Sequence, residues 1–175
     1  MLILSTFNSE YLKSPLQDLI KEFTTESVEI KYVNTNIVGA LIDLQSNLKP
    51  LPSLAVLLRL FDLTGKCEDQ NIKEKLDENL RLVSAQINAL KKEKELPLIV
   101  FLCFSPKNFY DQALFDIEND FLTVLKDNKI HTLTKSDIRK HYLLNKVDNS
   151  VEHETHIPYT PEFYAASAIL LARRL

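Results

Sequence analysis

Five short apolar segments recur along this chain, each followed by a stretch of helical periodicity, and that alternation restricts the fold more than any other feature. Leu2-Ile3-Leu4 reads as a short buried strand ending in the polar run Ser5–Ser9. From Glu10 to Phe23, the residues Tyr11, Leu12, Leu16, Leu19, Ile20 and Phe23 recur at helical spacing. Val28–Val33 alternates as a strand does, with Val28, Ile30 and Tyr32 on one face, and a second amphipathic helix runs from Ile37 to Leu48. Leu54–Leu60 is apolar throughout except for Arg59, which is how a central parallel strand reads.

The second half repeats the pattern. Asp69 to about Glu93 predicts a long charged helix with a buried stripe through Ile72, Leu76, Leu80, Leu82, Val83, Ile87 and Leu90. Leu98–Phe104 is the strongest strand, entered through Pro97 and closed by Ser105-Pro106. Phe109–Leu125 is helical, Lys129–Leu133 a short strand, and Ser136–Leu144 a helix with Ser136 as its expected N-cap. A loop over His153–Thr160 leads to Pro161, which suits a first helical turn, and a last helix continues through Leu171.

Strands alternating with helices force parallel neighbours, with helices on both faces of the sheet. The expected architecture is α/β, a five-stranded doubly wound parallel sheet of flavodoxin-like order. A length of 175 residues suits one domain over the whole chain, and no internal repeat or linker argues for a second. Glycine occurs only at positions 39 and 65, which excludes the glycine-rich phosphate loops, because those need several backbone positions without a Cβ. A net charge of −3 with no clustered Lys/Arg gives no reason to expect nucleic acid. The longest apolar runs fall far short of the roughly 20 residues that cross a membrane. Met1-Leu2-Ile3-Leu4 lacks a basic lead-in and is no secretory signal. Cys67 and Cys103 have neither metal-ligand spacing nor a disulfide framework, so reduced thiols and a cytoplasmic location are expected.

In a sheet of this order, sites form beyond the carboxyl ends of the strands, where the strand order reverses. That rim collects Ser5–Ser9, Asn34–Asn36, Arg59–Asp62, Ser105-Pro106 and the loop around His156. His156, between a loop and two prolines, is the candidate general base; the alternative is a histidine that only caps or packs. Ser5, Thr6 and Ser9 are the candidate nucleophiles, although capping the first helix is the commoner use of Ser9 or Asn8. Arg59 is costly within an apolar strand unless it pairs with Asp62 or another rim carboxylate, or anchors a ligand. Asn8, Asn36, Arg59, Asp62, Ser105 and Tyr159 are the candidate substrate-binding residues, and no histidine has metal-ligand spacing.

These positions carry a resemblance over most of the chain. Leu4-Ser5-Thr6-Phe7-Asn8-Ser9-Glu10-Tyr11-Leu12 resembles the opening motif of the SGNH-hydrolase-like domains of FkbH-like proteins and of non-ribosomal peptide synthetase and polyketide synthase clusters. Ala40-Leu41-Ile42-Asp43 with Ser46, Val56-Leu57-Leu58-Arg59-Leu60-Phe61-Asp62 and Leu102-Cys103-Phe104-Ser105-Pro106 resemble later blocks. The most specific match is His156-Ile157-Pro158-Tyr159-Thr160-Pro161-Glu162-Phe163-Tyr164-Ala165-Ala166, ending in Ala172-Arg173-Arg174.

The resemblance implies a three-layer SGNH sandwich, without the phosphatase-like part of full FkbH-like proteins. It also implies a degenerate site. Active members carry Gly-Asp-Ser at the first turn, an oxyanion asparagine in the third block, and Asp three residues before the histidine. Here Ser5-Thr6-Phe7-Asn8, Phe61 and His153 stand in those places, and only His156 carries over. The expected role is accessory to peptide or polyketide assembly, acting on or binding a carrier-bound acyl thioester. The alternatives are a non-catalytic docking module for a carrier or adenylation partner, or a small-ester hydrolase. Any reaction would be acyl transfer or thioester or ester hydrolysis. No cofactor is expected to be bound beyond phosphopantetheine presented by a carrier protein, and the expected partners are that carrier or adjacent synthetase domains.

Overall fold

The structure is a computed structural model that describes residues 1–23, 25, 27–34, 36–47, 51–64, 71–106, 112–144 and 157–174. Its strands are β1 (Leu2–Ser5), β2 (Glu29–Tyr32), β3 (Leu54–Leu58), β4 (Leu98–Leu102) and β5 (His131–Thr134). They form one parallel sheet in the order β2-β1-β3-β4-β5, the doubly wound arrangement read from the alternation. β1, β3 and β4 are buried on both faces, which explains their unbroken apolar sequences.

Successive side chains of a strand point to opposite faces, so each central strand feeds two cores. Leu2, Leu4, Leu54, Val56, Leu58, Leu98, Val100 and Leu102 pack against α2 (Ile37–Ser46), α4 (Ile72–Lys94) and α5 (Gln112–Asp127). On the other face, Ile3, Ala55, Leu57, Ile99 and Phe101 meet α1 (Lys13–Ile20), α6 (Lys135–His141) and α7 (Pro161–Ala172). A single 3-10 turn, Glu10–Leu12, leads into α1, and the short α3 (Leu60–Leu63) follows β3. The result is three layers, and the strand order reverses between β1, which leads to β2, and β3, which leads to β4.

Several boundaries differ from the sequence reading, each for a physical reason. β3 ends at Leu58, and Arg59 is the N-cap of α3 rather than a residue within the strand. The chain turns there because Leu60 and Leu63, three apart, bury together only as a helical turn. Thr134, not Ser136, caps α6. Its hydroxyl accepts from the Ser136 N–H at 3.2 Å while the Asp137 carboxylate accepts from the Thr134 N–H at 2.8 Å, a reciprocal capping box. Tyr32 does not share the burial of Val28, because it is the last residue of the edge strand β2. Ile42 and Leu82 likewise point outward, since each helix buries only the stripe that faces the sheet.

Candidate functional site

The carboxyl ends of β1 and β3 lie side by side, with Leu4 opposite Val56 and Ser5 opposite Leu57. The ladder continues one step further, as the Thr6 N–H donates to the Leu57 carbonyl at 3.1 Å. This pairing brings the Thr6 hydroxyl to the start of α3. There it accepts from the Arg59 N–H at 3.0 Å and donates to Asp62 Oδ2 at 3.0 Å. The other carboxylate oxygen, Oδ1, takes the guanidinium, 2.9 Å from Nε and 2.6 Å from Nη2. The Arg59 and Asp62 side chains keep only 10% and 8% of their surface, so the pair is nearly removed from water.

The local sequence explains this geometry. Arg59 and Asp62 are three apart across the first turn of α3, close enough for direct pairing. The turn is held by the Asp62 N–H donating to the Arg59 carbonyl at 2.9 Å and by the Thr64 hydroxyl donating to the Phe61 carbonyl at 2.7 Å. Ser105, beyond β4, accepts from the Phe61 N–H at 3.2 Å. The Phe61 ring is left 40% exposed, with the Arg59 guanidinium carbon 5.7 Å from its centre.

The candidate nucleophiles are all inside the protein. Ser5 donates to the Phe7 carbonyl at 2.7 Å and accepts from the Phe7 N–H, closing a tight loop on itself. Thr6 spends its proton on Asp62. Ser9 is buried, and among the described residues its hydroxyl has no hydrogen-bond partner. Asn8, rather than Ser9, supports the turn into the first helix, accepting from the Glu10 N–H at 3.2 Å. The Asn8 carbonyl in turn accepts from the Tyr164 hydroxyl at 2.9 Å. His156, with His153, lies outside the described residues.

The remaining candidates divide. Asn36 is the N-cap residue of α2 but its side chain makes no capping bond. It folds over Gly39, where an added Cβ would collide with Asn36 Oδ1, and no described contact joins it to Arg59 or Asp62. Tyr159 stands in the core rather than on the rim: its hydroxyl donates to the Phe104 carbonyl and its ring packs edge-on to Phe7 and close to Phe163. Burial pushes the Tyr159 hydroxyl well above its usual range, and the same cause raises the Cys103 thiol.

Tyr32 was missed as a rim residue. It ends β2 directly opposite Ser5 and is 48% exposed. Its phenol is raised by partial burial and by the Asp62 carboxylate, with Arg59 acting the other way. Its place as the last residue of an edge strand was the available signal.

A cleft of about 680 Å³ opens at the opposite end of the sheet, lined by Met1, Glu29, Lys31, Leu51, Lys94 and Leu96. It lies where strands begin, and its Lys94 ammonium is held by the Asn47 carbonyl at 2.6 Å. The rim is the better candidate, because the buried charge pair and the residues brought together from distant segments are there. Among the described residues no cluster of His, Cys, Asp and Glu could hold a metal, and no helix is long and apolar enough to cross a membrane. Comparison with family models and with curated proteins gives no match for this chain.

Proposed function

We propose that this chain is an SGNH-hydrolase-like accessory domain of peptide or polyketide assembly, which holds a carrier-bound acyl or aminoacyl thioester at the rim above β1 and β3. The observation that carries the reading is the Thr6–Asp62–Arg59 network at the point where the strand order reverses. Asp62 neutralises Arg59 but also holds its guanidinium in one orientation. Arg59 keeps about 10% of its side-chain surface, whereas Ser5, Thr6 and Ser9 keep almost none, so a phosphate at the rim would meet an oriented guanidinium edge rather than net charge. Phosphopantetheine supplies such a phosphate, with an acyl thioester at its other end.

Binding is favoured over turnover. A nucleophile must touch its substrate, and Ser5, Thr6 and Ser9 are buried. One observation favours a catalytic version, in which Asp62 takes the proton of Thr6 for acyl transfer: the two are already hydrogen bonded at 3.0 Å. Against it, the Asp62 carboxylate is already taken up by the Arg59 guanidinium.

The test is a titration of the labelled protein with S-acetyl phosphopantetheine, followed by NMR alongside an assay for released thiol. Shifts at Thr6, Tyr32 and Phe61 without thiol release are expected. Perturbation confined to the cleft at the opposite end of the sheet, or no binding, overturns the assignment. Steady thiol release lost in Thr6→Val selects the catalytic version.

A further inference from the structure

We infer that β2 is a self-association edge: two copies of this chain pair antiparallel through Glu29–Tyr32 about a two-fold axis at Ile30, joining their five-stranded sheets edge to edge. The inference is independent of the thioester-binding reading above.

β2 has β1 on one side and ends the sheet on the other. The Glu29 N–H donates to the Met1 carbonyl at 3.0 Å and the Val33 N–H to the Ser5 carbonyl at 2.9 Å. Backbone groups alternate between the two sides of a strand, so Glu29 and Lys31 face β1 while the N–H and carbonyl of Ile30 and Tyr32 face outward. Among the described residues nothing bonds those outward groups. At Val28 the edge is closed by α1, where Gln17 Oε1 accepts from the Val28 N–H at 2.6 Å. An unpaired edge is a template for another strand, and every residue of β2 keeps part of its surface.

Charge selects a second copy as that strand. Antiparallel pairing about Ile30 sets Glu29 of each copy opposite Lys31 of the other, on the face where both residues line the cleft at the amino end of the sheet. On the opposite face, Ile30 meets Ile30 and each Tyr32 meets Val28 of the other copy, an aromatic and β-branched pair. The same register lets the two Ile30 residues exchange both of their outward hydrogen bonds. The neighbouring registers that keep outward groups facing each other set Lys31 against Lys31 or Glu29 against Glu29, and like charges disfavour both. One acid and one base two residues apart are complementary to an antiparallel copy of themselves, the isologous pattern of a two-fold dimer. Four residues a side make a small contact, so the dimer is a transient one.

The experiment is sedimentation equilibrium of the whole chain from about 1 µM to about 1 mM, a range that spans the affinities of such contacts. Wild type should pass from monomer to dimer within it. Glu29→Lys and Lys31→Glu each set like charges opposite one another at both pairs and should weaken association by about tenfold or more. Both positions are exposed, and thermal melts establish that the variants are folded. An equimolar mixture of the two variants should recover association, because the lysines of one copy then meet the glutamates of the other. The double variant Glu29→Lys/Lys31→Glu should recover it alone. In hydrogen exchange, the Ile30 amide should gain protection with concentration, while those of Glu29 and Val33, already bonded to β1, should not. A monomer throughout the range, a dimer indifferent to the charge reversals, or a mixture that fails to recover overturns the inference. Exchange at Ile30 that does not depend on concentration overturns it as well.

Discussion

Thr6 and Asp62, 56 positions apart, share a hydrogen bond of 3.0 Å that ties the loop after β1 to the turn after β3. Thr6 also accepts from the Arg59 N–H, and Arg59 closes the ring by pairing with Asp62. The two loops that flank the reversal of strand order are thus one bonded unit.

That unit should behave cooperatively in stability. Asp62→Ala strands the Arg59 cation in a nearly dry position, and breaking a buried pair on one side costs about 3–5 kcal/mol. Thr6→Val leaves the buried Arg59 N–H without its acceptor, at about 1–3 kcal/mol. In urea unfolding, the double variant should lose less than the two single losses added together, by about 0.5–3 kcal/mol. Strict additivity would show that the hydrogen bonds are present without being coupled.

Ordinary esterase activity should be weak or absent. Phe61 stands where the resemblance places an oxyanion asparagine, and losing one such donor typically costs about 100- to 1000-fold in turnover. The burial of Ser5, Thr6 and Ser9 adds a second obstacle. Turnover of short p-nitrophenyl esters at ordinary enzyme rates, abolished by His156→Ala, would reverse this view and restore the hydrolase reading.

Arg59→Lys separates pairing from recognition. A lysine keeps the charge beside Asp62, so the melting temperature should fall only slightly. It cannot reproduce the planar fork of donors, and loss of one charge-assisted bond amounts to about tenfold in affinity. Calorimetry with S-acetyl phosphopantetheine should show that loss. Unchanged affinity in a folded Arg59→Lys protein makes Arg59 a structural residue only.

Alkaline pH should destabilise the protein through Cys103 and Tyr159. Burial raises both groups above their ordinary values of 9.0 and 10.0, so the folded state favours their neutral forms. Below pH 9 neither group distinguishes folded from unfolded chain. As pH rises past the unfolded values, the unfolded state releases protons that the folded state retains, and stability declines. In a Cys67→Ser background, Cys103→Ala should reduce that decline between about pH 9 and 11. Iodoacetamide should label Cys103 slowly in buffer and quickly in urea. Equal rates would mean that the thiol is open to solvent.

The alternation of apolar strands with helical stretches was sufficient for the architecture. Leu54–Leu60 and Leu98–Phe104 read as strands with both faces covered, and the structure forms them as Leu54–Leu58 and Leu98–Leu102 in the expected parallel order. The rim was legible too, because the ends of strands are local features and a strand-order reversal follows from the topology. Arg59 amid apolar residues signalled a partner or a ligand, and Asp62, three positions on, was the natural partner.

Tertiary structure decided what those residues do. Periodicity along a chain reports which face of an element is apolar, but not what reaches that face from a distant segment. The sequence therefore put Tyr159 on the rim, whereas the Phe104 carbonyl and the rings of Phe7 and Phe163 enclose it in the core. The same limit made Ser5, Thr6 and Ser9 equal candidates, although the fold closes Ser5 onto its own loop, commits Thr6 to Asp62 and buries Ser9. The partners of Thr6 lie more than 50 positions away along the chain, and only the packed sheet brings β1 and β3 close enough to join them.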